Sequence, residues 1–170
     1  MKRNVAGFSA TDAIGKDLEY KLLDVLSLWN PDAIFMHDVV IKHSSNDAQI
    51  DLIMIDKSGV FVFEAKNYSI SICGTYSQRV WDAVGRSRKS VRIENPIDQN
   101  ITHIRKLRNI CIGAGAPVFH NVIVVPDSCI IQTNCREVRR VSELKRYLKT
   151  FKSEDIDVNF IEKRLKAVVI

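Results

Sequence analysis

Three ionisable residues interrupt two otherwise apolar runs. Asp51 stands near the start of Gln49-Ile-Asp51-Leu-Ile-Met-Ile-Asp56, and Glu64 and Lys66 close Gly59-Val-Phe-Val-Phe-Glu64-Ala-Lys66. An ionised group among Ile, Val and Phe costs several kcal/mol unless it is paired or binds a metal, so these charges mark where chemistry is to be sought. The link Asp56-Lys57-Ser58-Gly59 has turn chemistry, with a glycine that tolerates positive φ. A tight hairpin with its loop at Lys57-Ser58 pairs residues whose numbers sum to 115, and so sets Asp51 opposite Glu64. Side chains alternate with period two, so Asp51, Ile53, Ile55, Val60, Val62, Glu64 and Lys66 share one face, while Ile50, Leu52, Met54, Phe61, Phe63 and Ala65 form a fully apolar other face. A one-residue bulge would shift this register but leave Glu64 and Lys66 together.

Two carboxylates a few ångströms apart repel unless a proton or a cation lies between them, which makes this hairpin end a site for a hard divalent ion. Mg²⁺ (or Mn²⁺) suits it: two carboxylates and water satisfy the ion and leave room for a phosphate oxygen. Lys66 would then orient or deprotonate a water, or offset charge building on phosphorus. A purely structural ion pair of Lys66 with Asp51 or Glu64 is the competing reading. Glu19 and Gln99 are further candidates. Glu19 lies beside the apolar stripe of a predicted helix, with Gly15 one turn earlier leaving space beneath it, and Gln99 lies in the first turn of another helix; a solvated helix residue is the alternative for each. Asp51, Glu64 and Glu19 against Lys66 leave two negative charges, which one divalent ion neutralises.

These residues need a scaffold. The periodicity of Ile14, Leu18, Leu22, Val25, Leu26 and Trp29 predicts a helix over residues 11–29, with caps among Ser9, Thr11 and Asp12. A strand is expected over 34–42, a loop at 43–47, the hairpin over 49–66, and a short strand over 76–81. Asn95-Pro96 opens a helix with Ile97, Ile101, Ile104, Leu107 and Ile110 on its buried face, ending near Gly113. A buried strand is expected between Pro117 and Pro126, a basic helix capped by Ser142 through Phe151, and a last helix over 155–168. The order points to an α/β layered domain with a mixed central sheet flanked by helices.

With 170 residues, 46% hydrophobic and 26% charged, the chain reads as a single domain over 1–170, its motif-bearing core about 12–126 and C-terminal helices about 142–168. No signal-like or membrane-length apolar run occurs, so a cytoplasmic protein is expected, with no membrane partner. Four cysteines without Cys-x-x-Cys spacing and four scattered histidines give no zinc signature and predict mostly buried thiols. The net charge of +5 favours a polyanionic partner. Arg86, Arg88, Lys89 and Arg92 are candidates for phosphate contacts, with Arg105 and Arg108 behind them; a solvated basic loop is the alternative.

Four ordered pieces resemble the nuclease-related domain (NERD) family, a branch of the PD-(D/E)xK, restriction endonuclease-like superfamily. They are Gly15-Lys-Asp-Leu-Glu19, Gln49-Ile-Asp51, Gly59-Val-Phe-Val-Phe-Glu64-Ala-Lys66-Asn67-Tyr68 and Asn95-Pro96-Ile-Asp-Gln99. Leu18 stands where the family often has glycine, and Ile50 where the superfamily has proline; neither change removes a functional side chain. The resemblance implies a divalent-metal-dependent endonuclease acting on DNA. On the matching positions, Asp51, Glu64 and the Ala65 carbonyl would hold the metal, Lys66 would be the catalytic lysine, and Glu19 and Gln99 would complete the site. A nucleic-acid-binding module that has lost activity and a protein-interaction domain are the alternative functions. Cutting both strands with one site per chain would call for a homodimer.

Overall fold

The computed structural model describes residues 10–42, 47–112, 117–154 and 156–167, with side chains from residue 16 onward. The expected caps at 9–12, the surroundings of Gly15, the loop residues 43–46 and the helix end at Gly113 lie outside the described residues. In chain order the elements are helix α1 (Ala10–Trp29), strands β1 (Ile34–Ile41), β2 (Ala48–Asp56), β3 (Gly59–Ala65), β4 (Ser71–Cys73), β5 (Val80–Val84) and β6 (Ser90–Glu94), helix α2 (Pro96–Ile110), strands β7 (Phe119–Val125), β8 (Ile130–Gln132) and β9 (Val138–Arg140), a 3-10 turn (Val141–Glu143), and helices α3 (Leu144–Leu148) and α4 (Val158–Lys166). Five strands form the central sheet in the order β1-β2-β3-β7-β9, antiparallel through β3 and parallel beyond it. The architecture is mixed α/β with helices on both faces, as the sequence predicts.

The β2–β3 ladder pairs Asp56 with Gly59 and Leu52 with Phe63, the expected register. The two faces then sort. Ile53, Ile55, Val60 and Val62 pack against Ile104 and Leu107 of α2 and Ile161 and Leu165 of α4. Leu52, Met54, Phe61 and Phe63 pack against Leu18, Leu22 and Leu26 of α1 and Leu144 and Leu148 of α3. Leu22 and Leu26 are fully buried, and burial on this scale contributes about 2 kcal/mol per side chain. Ile50 departs from the expected face, since it packs with Ile53 rather than with Leu52. The break lies at Asp51. The β1–β2 register continues on both sides of it, while Asp38, which that register sets across from Asp51, has φ 54°. Aspartate tolerates this left-handed conformation, and the local twist re-aims the strand where the site begins.

A second sheet, β6-β5-β4-β8, replaces the single strand expected at 76–81. Thr75 to Gln78 instead form a hydrogen-bonded turn, and the strand begins at Val80. Trp81 and Ile72 of this sheet pack on Ile97 of α2 and on Ile123 and Val125 of β7, so the small sheet braces the start of α2. The basic helix is also shorter than predicted. Ser142 lies inside the 3-10 turn, where its N–H donates to Asp127, and the Glu143 carboxylate accepts from the Arg140 N–H. Three of the four cysteines are buried, and all four are free.

Candidate active site

The carboxylates lie where β3, α2 and the small sheet meet. Glu64 faces α2 together with Val62 and is only 4% exposed. Lys66, two residues on, places Nζ 2.7 Å from Glu64 Oε1 and donates to Gln99 Oε1 at 2.9 Å, while Gln99 Nε2 donates to that same Glu64 oxygen at 2.8 Å. Three of the expected residues thus form one closed ring. Asp51 joins from β2, its Oδ2 accepting the Ala65 N–H at 2.7 Å. What the structure records at Ala65 is therefore its amide. Glu19 reaches the same border from α1 on the opposite face, its Oε2 3.4 Å from His37 Nε2.

Electrostatics follow from burial. Desolvation first, and then the Glu64 charge, push the Asp51 carboxyl up to about 7, against the relief given by the Ala65 amide and Lys66. Glu64 is also raised, by desolvation first, with Lys66 opposing and Glu19 adding to the rise. Glu19 is raised by its own burial and by Asp51. Asp51, Glu64 and Glu19 thus all resist ionisation, each feeling the charge of another of the three. The Asp38 carboxyl behind them is held low by the Gln49 amide, at 2.5 Å, and by Lys16.

Helix α2 is fixed by its expected cap, Asn95, and by two further amides, Asn100 and Asn121, that the sequence gave no reason to single out. Asn95 caps it, its side chain accepting from the Ile97 N–H and donating to the Gln78 carbonyl. Asn100, fully buried, donates to the Val62 carbonyl at 2.7 Å and to Asn121, which donates in turn to the Ile97 carbonyl. These bonds lock the register of α2 on the sheet, and so the reach of Gln99. Two histidines were also missed. His103, one turn after Gln99, places Nδ1 3.6 Å from Glu64 Oε2, and neither atom has a hydrogen-bond partner. Burial, then Lys106 and Lys66, push the pKa of its imidazole down. His37 has no spacing signature, but His103 stands four residues after Gln99, a helical spacing that points both at one neighbour.

A divalent cation fits this donor set: an orphaned, buried carboxylate oxygen on Glu64 beside an Asp51 whose ionisation is suppressed is what a cation would relieve. Among the described residues no three His, Cys, Asp or Glu side chains are gathered to cage a metal, so two carboxylates, backbone and water would have to suffice, as they do for Mg²⁺. The expected phosphate contacts Arg86, Arg88, Lys89 and Arg92 are exposed on the β5–β6 hairpin, with Arg92 across from Asp82. Gly85 in the hairpin loop approaches the Tyr68 ring, and the Tyr68 N–H donates to the Lys66 carbonyl.

The family model for nuclease-related domains matches residues 14–126, which hold Glu19, Asp51, Glu64, Lys66 and Gln99. The chain belongs to the nuclease-related domain family. A curated relative, an uncharacterized protein of Bacillus anthracis, is 36% identical over 95 residues, 55% of this chain and 44% of that protein. The chain thus matches less than half the length of that relative. No solved structure matches this nuclease-related domain. Among its described residues no helix is long and apolar enough to cross a membrane.

Proposed function

We propose that this nuclease-related domain is a divalent-metal-dependent nuclease that hydrolyses phosphodiester bonds in DNA. The observation that carries the reading is the convergence of Asp51, Glu64, Lys66 and Gln99 at one end of β3. Asp51 and Glu64, with the Ala65 carbonyl, would hold Mg²⁺ or Mn²⁺, which when bound supplies charge neutralisation for the phosphate and acidifies water. Lys66, tethered by the Gln99 oxygen, orients the attacking water and offsets negative charge on the phosphate; the Gln99 amide keeps the lysine and Glu64 in register. Glu19 adds a third carboxylate at the border. Arg86, Arg88, Lys89 and Arg92 hold the phosphate backbone beyond the scissile bond, contacts that fix position without reading sequence. A homodimer would bring two such centres to the two strands of a duplex.

Plasmid nicking tests this. With Mg²⁺ or Mn²⁺ the wild type nicks, and EDTA, Asp51→Asn and Lys66→Ala each abolish nicking in folded protein free of contaminating nuclease. Salt-sensitive DNA binding without nicking would leave an inactive binding module; neither activity would leave a protein-interaction domain with a structural Lys66–Glu64 pair.

A further inference from the structure

The segment from Arg136 to Lys149, covering β9 and α3, takes no part in the site above. It holds six basic residues (Arg136, Arg139, Arg140, Lys145, Arg146, Lys149) against two acidic ones, Glu137 and Glu143, so fourteen residues carry four of the chain's five net positive charges. Two clefts open along it. One, of about 580 Å³, runs over Phe119, His120 and Asn121 and is walled by Arg136, Tyr147 and Phe151. The other, of about 320 Å³, is lined by Arg139, Glu143 and Arg146. Tyr147 and Thr150 line both, so the clefts form one trough.

Both carboxylates of the trough are engaged elsewhere. Glu137 accepts from the Tyr76 hydroxyl, and Glu143 is bound by Arg140. Among the described residues Arg136, Arg139 and Arg146 make no ion pair. Arg139 instead lies over the Tyr147 ring, 4.4 Å from its centroid, and that ring meets Phe151 edge-on. Unpaired guanidinium groups beside stacked planar groups provide for both halves of a nucleotide: charge for the phosphate, and a flat surface for the base. We propose that this trough is a docking surface for a single nucleic-acid strand, separate from the carboxylate site. The choice of a nucleic acid over another polyanion rests on the nuclease reading.

The separation is geometric. Glu64 pairs with Ile123 of β7 and faces α2, whereas the trough runs over Phe119 to Asn121, two to four residues or roughly 7–13 Å earlier along the strand, and continues on the α3 side. It also lies where β9 stops, since β9 pairs only with Ile123 to Val125 and leaves the first half of β7 as an edge. A strand held here does not touch the carboxylates, so the trough anchors substrate independently of cleavage.

Fluorescence anisotropy of a labelled oligothymidylate, titrated with the full chain in EDTA across a series of NaCl concentrations, tests the proposal. Replacing Arg136, Arg139 and Arg146 together by Gln is expected to weaken binding about tenfold or more and to lower the slope of log affinity against log salt by about 2, three phosphate contacts being lost. Tyr147→Leu keeps the apolar packing and is expected to weaken binding about fivefold with the slope unchanged. Should the triple variant melt early, Arg136→Gln and Arg146→Gln, both exposed, serve singly, each lowering the slope by about 0.7. Variants that match wild type in affinity and slope overturn the proposal, as does polyglutamate competing as well as the oligonucleotide at equal charge, which would make the trough an acidic-peptide site. Weakened binding in the triple variant of a chain that never nicks plasmid keeps the trough and removes the nuclease; nicking by wild type with unaltered binding in the triple variant does the reverse.

Discussion

At the scale of single residues, the site is defined by what its carboxyls lack. Glu64 Oε1 takes both Lys66 and Gln99, while Oε2, fully buried, faces the His103 ring without a hydrogen bond. Asp51 has one backbone donor and a carboxylate neighbour. A carboxyl that holds its proton to about 7 when folded, but to about 3.8 when unfolded, makes stability depend on pH in a fixed direction. Below pH 3.8 the carboxyl is protonated in both states and costs nothing. As pH rises the unfolded chain ionises first, so metal-free protein loses up to about 4 kcal/mol before the loss levels off above pH 7. Thermal melts in EDTA are therefore expected to fall from pH 5 to pH 8, and Asp51→Asn, which removes the titration, to melt about 5 °C or more above wild type at pH 8 but not at pH 4. Excess Mg²⁺ is expected to raise the wild type and leave the variant where it is. An Asp51→Asn variant no more stable than wild type at pH 8 would mean that this carboxyl is not strained at all.

At the scale of elements, the β2–β3 hairpin was legible because its residues from Leu52 to Phe63 agree with one register: apolar on both faces, turn residues at the bend, charge only towards the open end. Asp51, Glu64 and Lys66 follow from that register, and Gln99 from the Asn95-Pro96 helix start. The strands that escaped reading are short and lie away from the main core: Val80–Val84 buries only Trp81 and Ala83, Ser90–Glu94 is largely exposed, and Val138–Arg140 has a basic pair. Ile50 escaped because nothing in its sequence announces the positive φ of Asp38 on the neighbouring strand. His37 escaped because a lone histidine carries no pattern until the fold supplies its partner, whereas His103 had a signal in its helical spacing from Gln99. The turn itself offers a sharp test. Gly59 has φ 129°, and a Cβ there would lie 2.5 Å from the Val118 carbonyl oxygen and 2.9 Å from His120 Nε2. Neither can give way, since the carbonyl accepts from the Val60 N–H and the imidazole bonds the Ser58 carbonyl. Gly59→Ala is expected to cost about 3 kcal/mol in urea denaturation, while the fraction still folded keeps its nicking rate because the bend is at the far end of the hairpin from Glu64.

At the scale of the whole molecule, the small sheet meets the carboxylate end of the large one at the buried Asn95 side chain and the apolar cluster round Trp81. Asn95 donates its N–H to the Arg79 carbonyl and its side-chain amide to the Gln78 carbonyl, and it caps the helix that presents Gln99 and, one turn on, His103. Trp81 presses on the same junction, close enough that Gly74 beside it has no room for a Cβ. The second sheet therefore does more than extend the core, because it sets the angle at which α2 meets β3. Asn95→Ala removes the cap and the Gln78 bond and is expected to cost about 1–3 kcal/mol. A matched loss elsewhere separates coupling from mere instability: Ile161→Ala, in α4 on the same face of the sheet, empties a fully buried site and costs about 2–5 kcal/mol. Compared at a temperature where both remain folded, Asn95→Ala is expected to nick at least about tenfold more slowly than Ile161→Ala, because only the first releases the helix turn that holds Lys66 against Glu64. Equal nicking rates in the two variants would show that Gln99 keeps its place without the second sheet, and that the junction serves stability alone.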